Sequence, residues 1–384
     1  MSATEVLKVI YAPHKALKKI AEKPKYLGPL IIMILLIISN VAFTYEAVSK
    51  TVIEQIVPTG PALDQWTENS TFWTSNAQVT ESSDHINGTL YGNASIAFSI
   101  VNSAQLWMQL QGIGSVNCSG PDGYNESSFR IKWTSPTEKP ENVTIQLFSA
   151  NSSGYFYLSL VDDFSNATYN IWNNLTIPLA TAEWLKSSSN ADWGNITGLN
   201  LNFTWPNNSN ITVLIDGLFF HGVFKSLLET AGTSYLLNYG LSSLTQFVIT
   251  WVLLSGLLYL IARGIGGKPV WKPMLIAVGF ILVTLLVQSL INTLAYLSLP
   301  TIHYPFAYLG GVSGEGQAAY DTLVAQTQIV SQISYYLQLA VYVWTIALST
   351  LTVRLITGLS WSKSLLVGTI GFLGTMLIEG FILG

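Results

Sequence analysis

Two hydrophobic patterns divide this chain. The first is unbroken: apolar runs cover residues 27–47 and then about 236–262, 274–298, 329–353 and 364–384. As a helix, each is long enough to cross ~30 Å of hydrocarbon. The second pattern alternates, and it fills the interval between the first two runs. Leu199, Leu201, Phe203 and Trp205 alternate with Asn200, Asn202 and Thr204. Phe129, Ile131 and Trp133 alternate with Arg130 and Lys132, and Val143, Ile145 and Leu147 with Thr144 and Gln146. A period of two with one apolar face predicts half-buried strands. Further runs lie near 94–101, 104–111, 154–161, 167–178 and 211–220, several of them separated by turns such as Pro121-Asp122-Gly123 and Pro206-Asn207-Asn208. Eight or nine short strands predict an antiparallel sandwich. The expected architecture is an α-helical five-span transmembrane bundle plus an all-β sandwich. Residues 1–26 form a basic segment, 27–47 the first span, 48–225 the β domain and 236–384 the other four spans.

Charge orients the spans. Only 10% of residues are charged, against about 25% in soluble proteins. The segment 1–26 carries Lys8, Lys15, Lys18, Lys19, Lys23 and Lys25 against Glu5 and Glu22. Arg263, Lys268 and Lys272 fall in one later connection, and Arg354 and Lys363 in another. With a cytosolic N-terminus these connections are cytosolic too, and that side holds eleven of the 17 Lys/Arg but two of the 21 acids. The positive-inside rule then places residues 48–235 and 299–328 outside, together with the C-terminus. A cleaved signal peptide is the competing reading of the first run. The long polar stretch before it and the lack of a prompt small-x-small site favour a retained anchor.

The asparagines give the same orientation. Thirteen of the 20 between Asn69 and Asn210 begin an Asn-x-Ser/Thr sequon, where chance gives about five. They are Asn69, Asn87, Asn93, Asn117, Asn125, Asn142, Asn151, Asn166, Asn174, Asn195, Asn202, Asn207 and Asn210. The expectation is a glycosylated external domain; the plain alternative is an Asn-rich polar surface. The only cysteine, Cys118, excludes an internal disulfide, so the domain relies on its core. Dense sequons without a disulfide point to an archaeal cell envelope.

Three stretches of the β segment are similar to jelly-roll modules of the galactose-binding-like and carbohydrate-binding kind. These are Trp172-Asn-Asn-Leu-Thr-Ile-Pro178, Ala191-Asp-Trp-Gly-Asn-Ile-Thr197 and the closing run Ile211 to Phe220 with Asp216-Gly217 inside it. The resemblance implies a jelly-roll ectodomain with a glycan as a possible ligand. Alternation puts most of its tryptophans in the core and leaves one or two for a sugar platform.

In the spans, polar residues recur at helical spacing: Ser242, Gln246, Thr250; Thr284, Gln288, Asn292; Gln338, Tyr342, Thr345, Ser349; Gly371, Thr375, Glu379. Polar groups facing lipid stay unsatisfied, so these stripes are expected to meet inside a bundle. Packing glue is the plain reading of Gln288, Asn292, Gln338 and Glu379, and a conduction path the sharper one. Glu379, the one carboxylate within the last four spans, either reaches the outer interface or bonds to Gln288, Asn292 or Gln338. Pro13 to Glu22 predicts a short helix with Leu17, Ile20 and Ala21 on one face and Lys15, Lys18, Lys19 and Glu22 around the rest. Such a helix suits the inner leaflet.

The chain also resembles the Yip family, the Ypt/Rab-interacting five-span membrane proteins, including its prokaryotic branch. Carrying this are Ala12-Pro-His-Lys-Ala-Leu-Lys-Lys-Ile-Ala21, Pro24-Lys-Tyr-Leu-Gly-Pro29 and Tyr259-Leu-Ile-Ala-Arg-Gly-Ile-Gly-Gly-Lys268. The match covers residues 1–47 and about 236–384, and the 175-residue insertion after the first span departs from the family pattern. It implies a membrane-organising or trafficking role with lipid and membrane-protein partners.

No enzyme site is legible. Gly264-Ile-Gly-Gly-Lys268-Pro is too short for a phosphate loop, and its proline stands where a magnesium-binding hydroxyl belongs. His14, His85, His221 and His303 are scattered and make no zinc spacing. Asp162-Asp163 and Asp216 are the acids suited to a structural calcium, with solvated turn acids as the plain alternative; no other cofactor is expected. The combined expectation is a non-enzymatic Yip-like membrane protein with no nucleic-acid partner. Its external domain would contact glycans or a surface protein, and a transporter or channel subunit is the alternative.

Overall fold

A computed structural model describes residues 3–59, 64–149, 154–188 and 190–383. In chain order it begins with α1 (Ala3–Tyr11), α2 (Pro13–Glu22), α3 (Leu27–Lys50), β1 (Thr51–Val57) and α4 (Gln65–Glu68). The strands β2 (Trp73–Ser75), β3 (Gln78–Ser82), β4 (Ser95–Val116), β5 (Glu126–Ser135), β6 (Asn142–Ser149) and β7 (Gly154–Ser159) follow. After α5 (Val161–Ser165) come β8 (Asn173–Pro178), β9 (Leu185–Lys186) and β10 (Ile196–Ser226). Then α6 (Leu227–Ala231), α7 (Ser234–Gly264), α8 (Trp271–Ile281), α9 (Val283–Leu297), β11 (Ile302–Tyr304), α10 (Phe306–Leu309), α11 (Gln317–Thr357) and α12 (Trp361–Leu383) complete it.

The chain forms two units. One takes the residues up to Thr51 with Ser226–Ile302 and Val324–Gly384; the other takes Val52–Lys225 with His303–Leu323. The helical unit contains helices long and apolar enough to cross a membrane: Leu27–Lys50, Ser234–Gly264, Trp271–Leu297, Gln317–Thr357 and Trp361–Ile382. Among the described residues there are five, which makes this a multi-pass membrane protein.

Within this unit α3 lies against α7 and α9, and α12 against α7. Most of its hydroxyls are satisfied within or between helices. Thr44, Ser255, Thr350 and Thr375 each donate to the carbonyl four residues earlier, which hides the hydroxyl from an apolar surround. The Lys50 ammonium donates to the carbonyls of Tyr296, Leu297 and Leu299 and so caps the end of α9 with positive charge.

The helix expected at Pro13–Glu22 is present, but its apolar face is not left for lipid. Ala16, Leu17 and Ile20 join the buried core of the helical unit. Val6 and Val9 of α1, an element without a sequence expectation, join it too, and Lys19 reaches Glu5 at 2.5 Å. Protein packing satisfies the surface that an interfacial helix would give to the leaflet.

The β unit is one antiparallel sheet folded over on itself. Its two long strands, β4 and β10, pair along two successive lengths. Gln105–Gln111 lies opposite Gly198–Thr204, and Ile96–Ile100 opposite Ile211–Ile215. The break falls at register shifts between Thr204, Ser209 and Ile211, beside Asn102, which takes a left-handed conformation (φ 52). Such irregularities let a strand pass from one layer of a sandwich to the other. One layer adds β6, β7, β9 and β2; the second adds β3, β5 and β8. The four runs expected near 94–101, 104–111, 199–205 and 211–220 are therefore two continuous strands. The inward residues of both layers form one core that includes Leu110, Leu201, Phe203, Ile145, Phe98, Ile131 and Trp133. Residues 303–323, to which the pattern assigned no element, also belong to this unit, with Phe306 packed on Tyr91 and Phe219.

Candidate functional site

The outward face of the first layer follows from the same alternation that builds the core. Strand pairing aligns its side chains in rows. One row runs Thr74, Gln109, Asn200, Gln146, Tyr157 and Leu185 across six strands. The next runs Trp107, Asn202, Thr144 and Ser159, and a third Gln105, Thr204 and Asn142. None of these residues is charged. Asn200 Nδ2 donates to Gln146 Oε1 at 3.2 Å, and Asn76 Oδ1 accepts the backbone N–H of Trp107 at 2.9 Å. Trp107 is half-buried and Tyr157 exposed. They stand three strand spacings apart, ~14 Å across the sheet. Amides offer paired donors and acceptors, and aromatic rings offer flat apolar faces. Such a face suits a neutral ligand rich in hydroxyls. Of the other tryptophans, Trp66, Trp73, Trp133, Trp184 and Trp205 are buried, while Trp172 and Trp193 are half-buried. Alternation announced Asn200, Asn202, Thr204, Thr144 and Gln146 of this face, but only the register places Trp107 beside Asn202.

A second constellation is a trio of carboxylates. Asp64, Glu68 and Asp216 each bring an oxygen within 4.8 Å of the others. Asp216 Oδ2 accepts from Ile86 N at 2.6 Å and Oδ1 from Gly217 N at 2.7 Å. Asp64 Oδ2 accepts from Gly92 N at 3.0 Å, and Glu68 accepts from Asn93 N and Ala94 N. Gly217 is required here: its φ is +55, and a Cβ would lie 2.2 Å from the Tyr91 ring. Burial pushes the Asp216 carboxyl up to about 7, against the N–H of Ile86 and with the charge of Asp64. Burial likewise raises Asp64 to about 6, opposed by the N–H of Gly92. Asp64 Oδ1 is buried and has no hydrogen-bond partner among the described residues.

Of the acids suited to a structural calcium, Asp162 and Asp163 are exposed in the first turn of α5 and join no such cluster among the described residues. The partners Asp64 and Glu68 escaped the sequence reading because some 150 residues separate them from Asp216. Their spacing of four, which shares one helical face, was the available signal.

In the helical unit the polar stripes meet only in part. Thr284 and Thr345 hydroxyls lie 2.9 Å apart. Gln288 and Asn292 line a cavity of about 200 Å³ together with Asn40, Ser243, Gln246 and Ser289. Asn40 Nδ2 donates to Ser243 Oγ at 2.8 Å, and Ser289 donates to Asn40 Oδ1. Gln338 does not reach this cavity; it is exposed and donates to Tyr342. Glu379 accepts from Thr250 of α7, not from Gln288, Asn292 or Gln338. The reason is that α12 packs on α7, with Gly371 seated against Leu258.

Of the sequon asparagines, Asn69, Asn87, Asn93, Asn117, Asn125, Asn142, Asn166, Asn174, Asn207 and Asn210 are exposed. Asn195 and Asn202 are half-buried, and Asn151 lies outside the described residues.

No protein-family model matches the sequence. No curated protein matches it either. Among solved structures, the chain is similar over part of its length to a family 11 carbohydrate-binding module from Clostridium thermocellum, in complex with a β-1,3-1,4-mixed-linked tetrasaccharide. The identity is 12% and the TM-score 0.29, over 44% of this chain and 96% of that one. A family 30 carbohydrate-binding module of a cellulosomal cellulase from the same organism gives 14% identity and TM-score 0.28, over 43% and 96%. A β-1,2-glucanase from Parabacteroides distasonis gives 15% and 0.29, over 40% of this chain and 24% of that one.

Proposed function

We propose that this chain is a non-enzymatic, Yip-like membrane protein that holds a β-sandwich outside the cell and uses it to contact neutral glycans of the envelope. The observation that carries the reading is the charge-free face with Trp107 and Tyr157 set among amides and hydroxyls. A protein-docking face of this size more often carries charged rims and buried apolar anchors. The eleven Lys/Arg near one set of span ends support the orientation, and eight exposed sequon asparagines, Asn142 and Asn174 apart, support glycosylation of the domain. The resemblance of residues 1–47 and 236–384 to the Yip family supports a role in organising or trafficking membrane.

Calcium fits the trio of Asp64, Glu68 and Asp216. All donors are carboxylate oxygens, and one buried oxygen lacks a partner among the described residues. The ion would tie α4 to β10 and to the turn at residues 92–94, holding the loops that flank the sandwich.

The test is retention of the purified chain on immobilised neutral polysaccharides. Retention is expected and should weaken at least tenfold in Trp107→Ala. A folded protein that none of them retains overturns the reading. A second reading, a carrier of small neutral solutes, is favoured by the cavity that Asn40, Gln288 and Asn292 line. Solute flux in liposomes that Asn292→Leu abolishes would establish it.

A further inference from the structure

A different cluster lies where β1 and β5 flank β10. Glu54 of β1, Glu126 at the start of β5 and His221 of β10 each bring one ligand atom within 4.8 Å of the others. The His221 Nδ1 is 2.7 Å from Glu54 Oε1 and 3.5 Å from Glu126 Oε2. Glu54 and His221 are almost fully buried, while the Glu126 side chain is 44% exposed. A single ring nitrogen has one proton or one lone pair, so it serves one carboxylate well and leaves the second facing it without a hydrogen bond. Two carboxylates converging on one imidazole nitrogen are better balanced by a cation among all three.

The surroundings are built for that role. The second Glu54 oxygen accepts the backbone N–H of Phe306, which fixes the carboxylate from behind. The His221 ring is held by stacking on Phe306, with centroids 4.9 Å apart and 28° between planes. His221 is 5% exposed, and its Nε2 has no hydrogen-bond partner among the described residues. Beside the cluster is a cleft of about 230 Å³, whose lining includes Ser128, Asn174 and Thr176. It leaves room for a water or a ligand oxygen at a fourth position.

We infer that Glu54, Glu126 and His221 form a divalent transition-metal site, with zinc as the ion best suited to its donors. One imidazole and two carboxylates make a mixed nitrogen–oxygen set, unlike the all-oxygen trio at Asp216 that suits calcium. Three protein ligands with an open position facing a cleft is the pattern of zinc sites that bind an exogenous oxygen. The metal would join three strands that are far apart in sequence. The open position would take water, or a hydroxyl or carboxylate of a ligand entering beside Asn174 and Thr176.

The test uses the full chain in detergent, stripped with chelator and titrated with Co²⁺. The wild type should bind one Co²⁺ with the visible absorption of a four-coordinate site, and Zn²⁺ should displace it while excess Ca²⁺ does not. His221→Ala and Glu126→Gln should each weaken binding at least ~10-fold, and Asp162→Asn, at an exposed position outside both clusters, should leave it unchanged. Glu126 is partly exposed, so its variant reports on binding even if His221→Ala fails to fold. A wild type that binds no Co²⁺ stoichiometrically, binding undiminished in Glu126→Gln, or displacement by Ca²⁺ overturns the inference.

Discussion

The two units solve the problem of burying polar groups in opposite directions. In the β unit the apolar residues point inward and the amides outward: Leu199, Leu201 and Ile145 are fully buried, while Gln105 and Asn142 are exposed. In the helical unit Ile34, Ile38, Leu377 and Phe381 are exposed, while Ser39, Ser255, Thr284 and Ser289 are buried and hydrogen-bonded. Water rewards the first arrangement and hydrocarbon the second. The β unit thus gains most of its stability from apolar burial, whereas the helical unit depends on close packing and hydrogen bonds between helices.

The strongest way to break this contrast is to remove one aromatic from each unit. Trp133→Ala empties a fully buried site and should cost ~3–5 kcal/mol. Phe381→Ala, at a position 89% exposed, should stay within ~0.5 kcal/mol. Thermal unfolding in detergent, with each unit followed separately, measures both. Equal losses would mean that Phe381 packs against a partner.

Next in size is the effect of pH on the β unit in chelator. Burial raises Asp64 to about 6 and Asp216 to about 7 from 3.8, so between these values the folded state holds protons that the unfolded chain releases. Stability is therefore highest near pH 4 and falls as pH rises through 7, by on the order of a few kcal/mol. Calcium added at pH 7.5 should restore it, and Asp216→Asn should flatten the profile. Unfolding temperature against pH, with and without the ion, reads out each of these effects.

Smaller effects are expected within the helical unit. Glu379→Leu removes the acceptor that Thr250 uses across the α7–α12 contact and should cost about 1 kcal/mol. Glu379→Gln keeps an acceptor and should be nearly neutral. Leucine tolerated as well as glutamine would show that Glu379 is not a bundle contact.

The smallest effect separates burial from reactivity. Cys118 is buried, and its thiol is pushed up to about 12 by that burial. Iodoacetamide at pH 8 should leave it unmodified until the β unit unfolds, which mass spectrometry can follow. Rapid alkylation of the folded chain would place Cys118 at a surface.

The sequence alone determined the division into an unbroken-apolar part and an alternating part, because hydrophobic period is a local property of the chain. It also determined which side chains of Ile145, Leu201 and Phe203 face a core, since alternation fixes the face of a strand once one residue is placed. It gave no account of where β4 and β10 turn from one layer to the other, because that follows from pairing between residues a hundred positions apart. The same limit hid the partners of Asp216, of Glu379 and of His221. Each of those contacts joins segments that share no local pattern: Asp64 with Asp216, Thr250 with Glu379, Glu54 with Glu126 and His221. Only the tertiary structure decided them, because a contact between distant segments depends on how whole elements pack, and packing is a property of the assembled core.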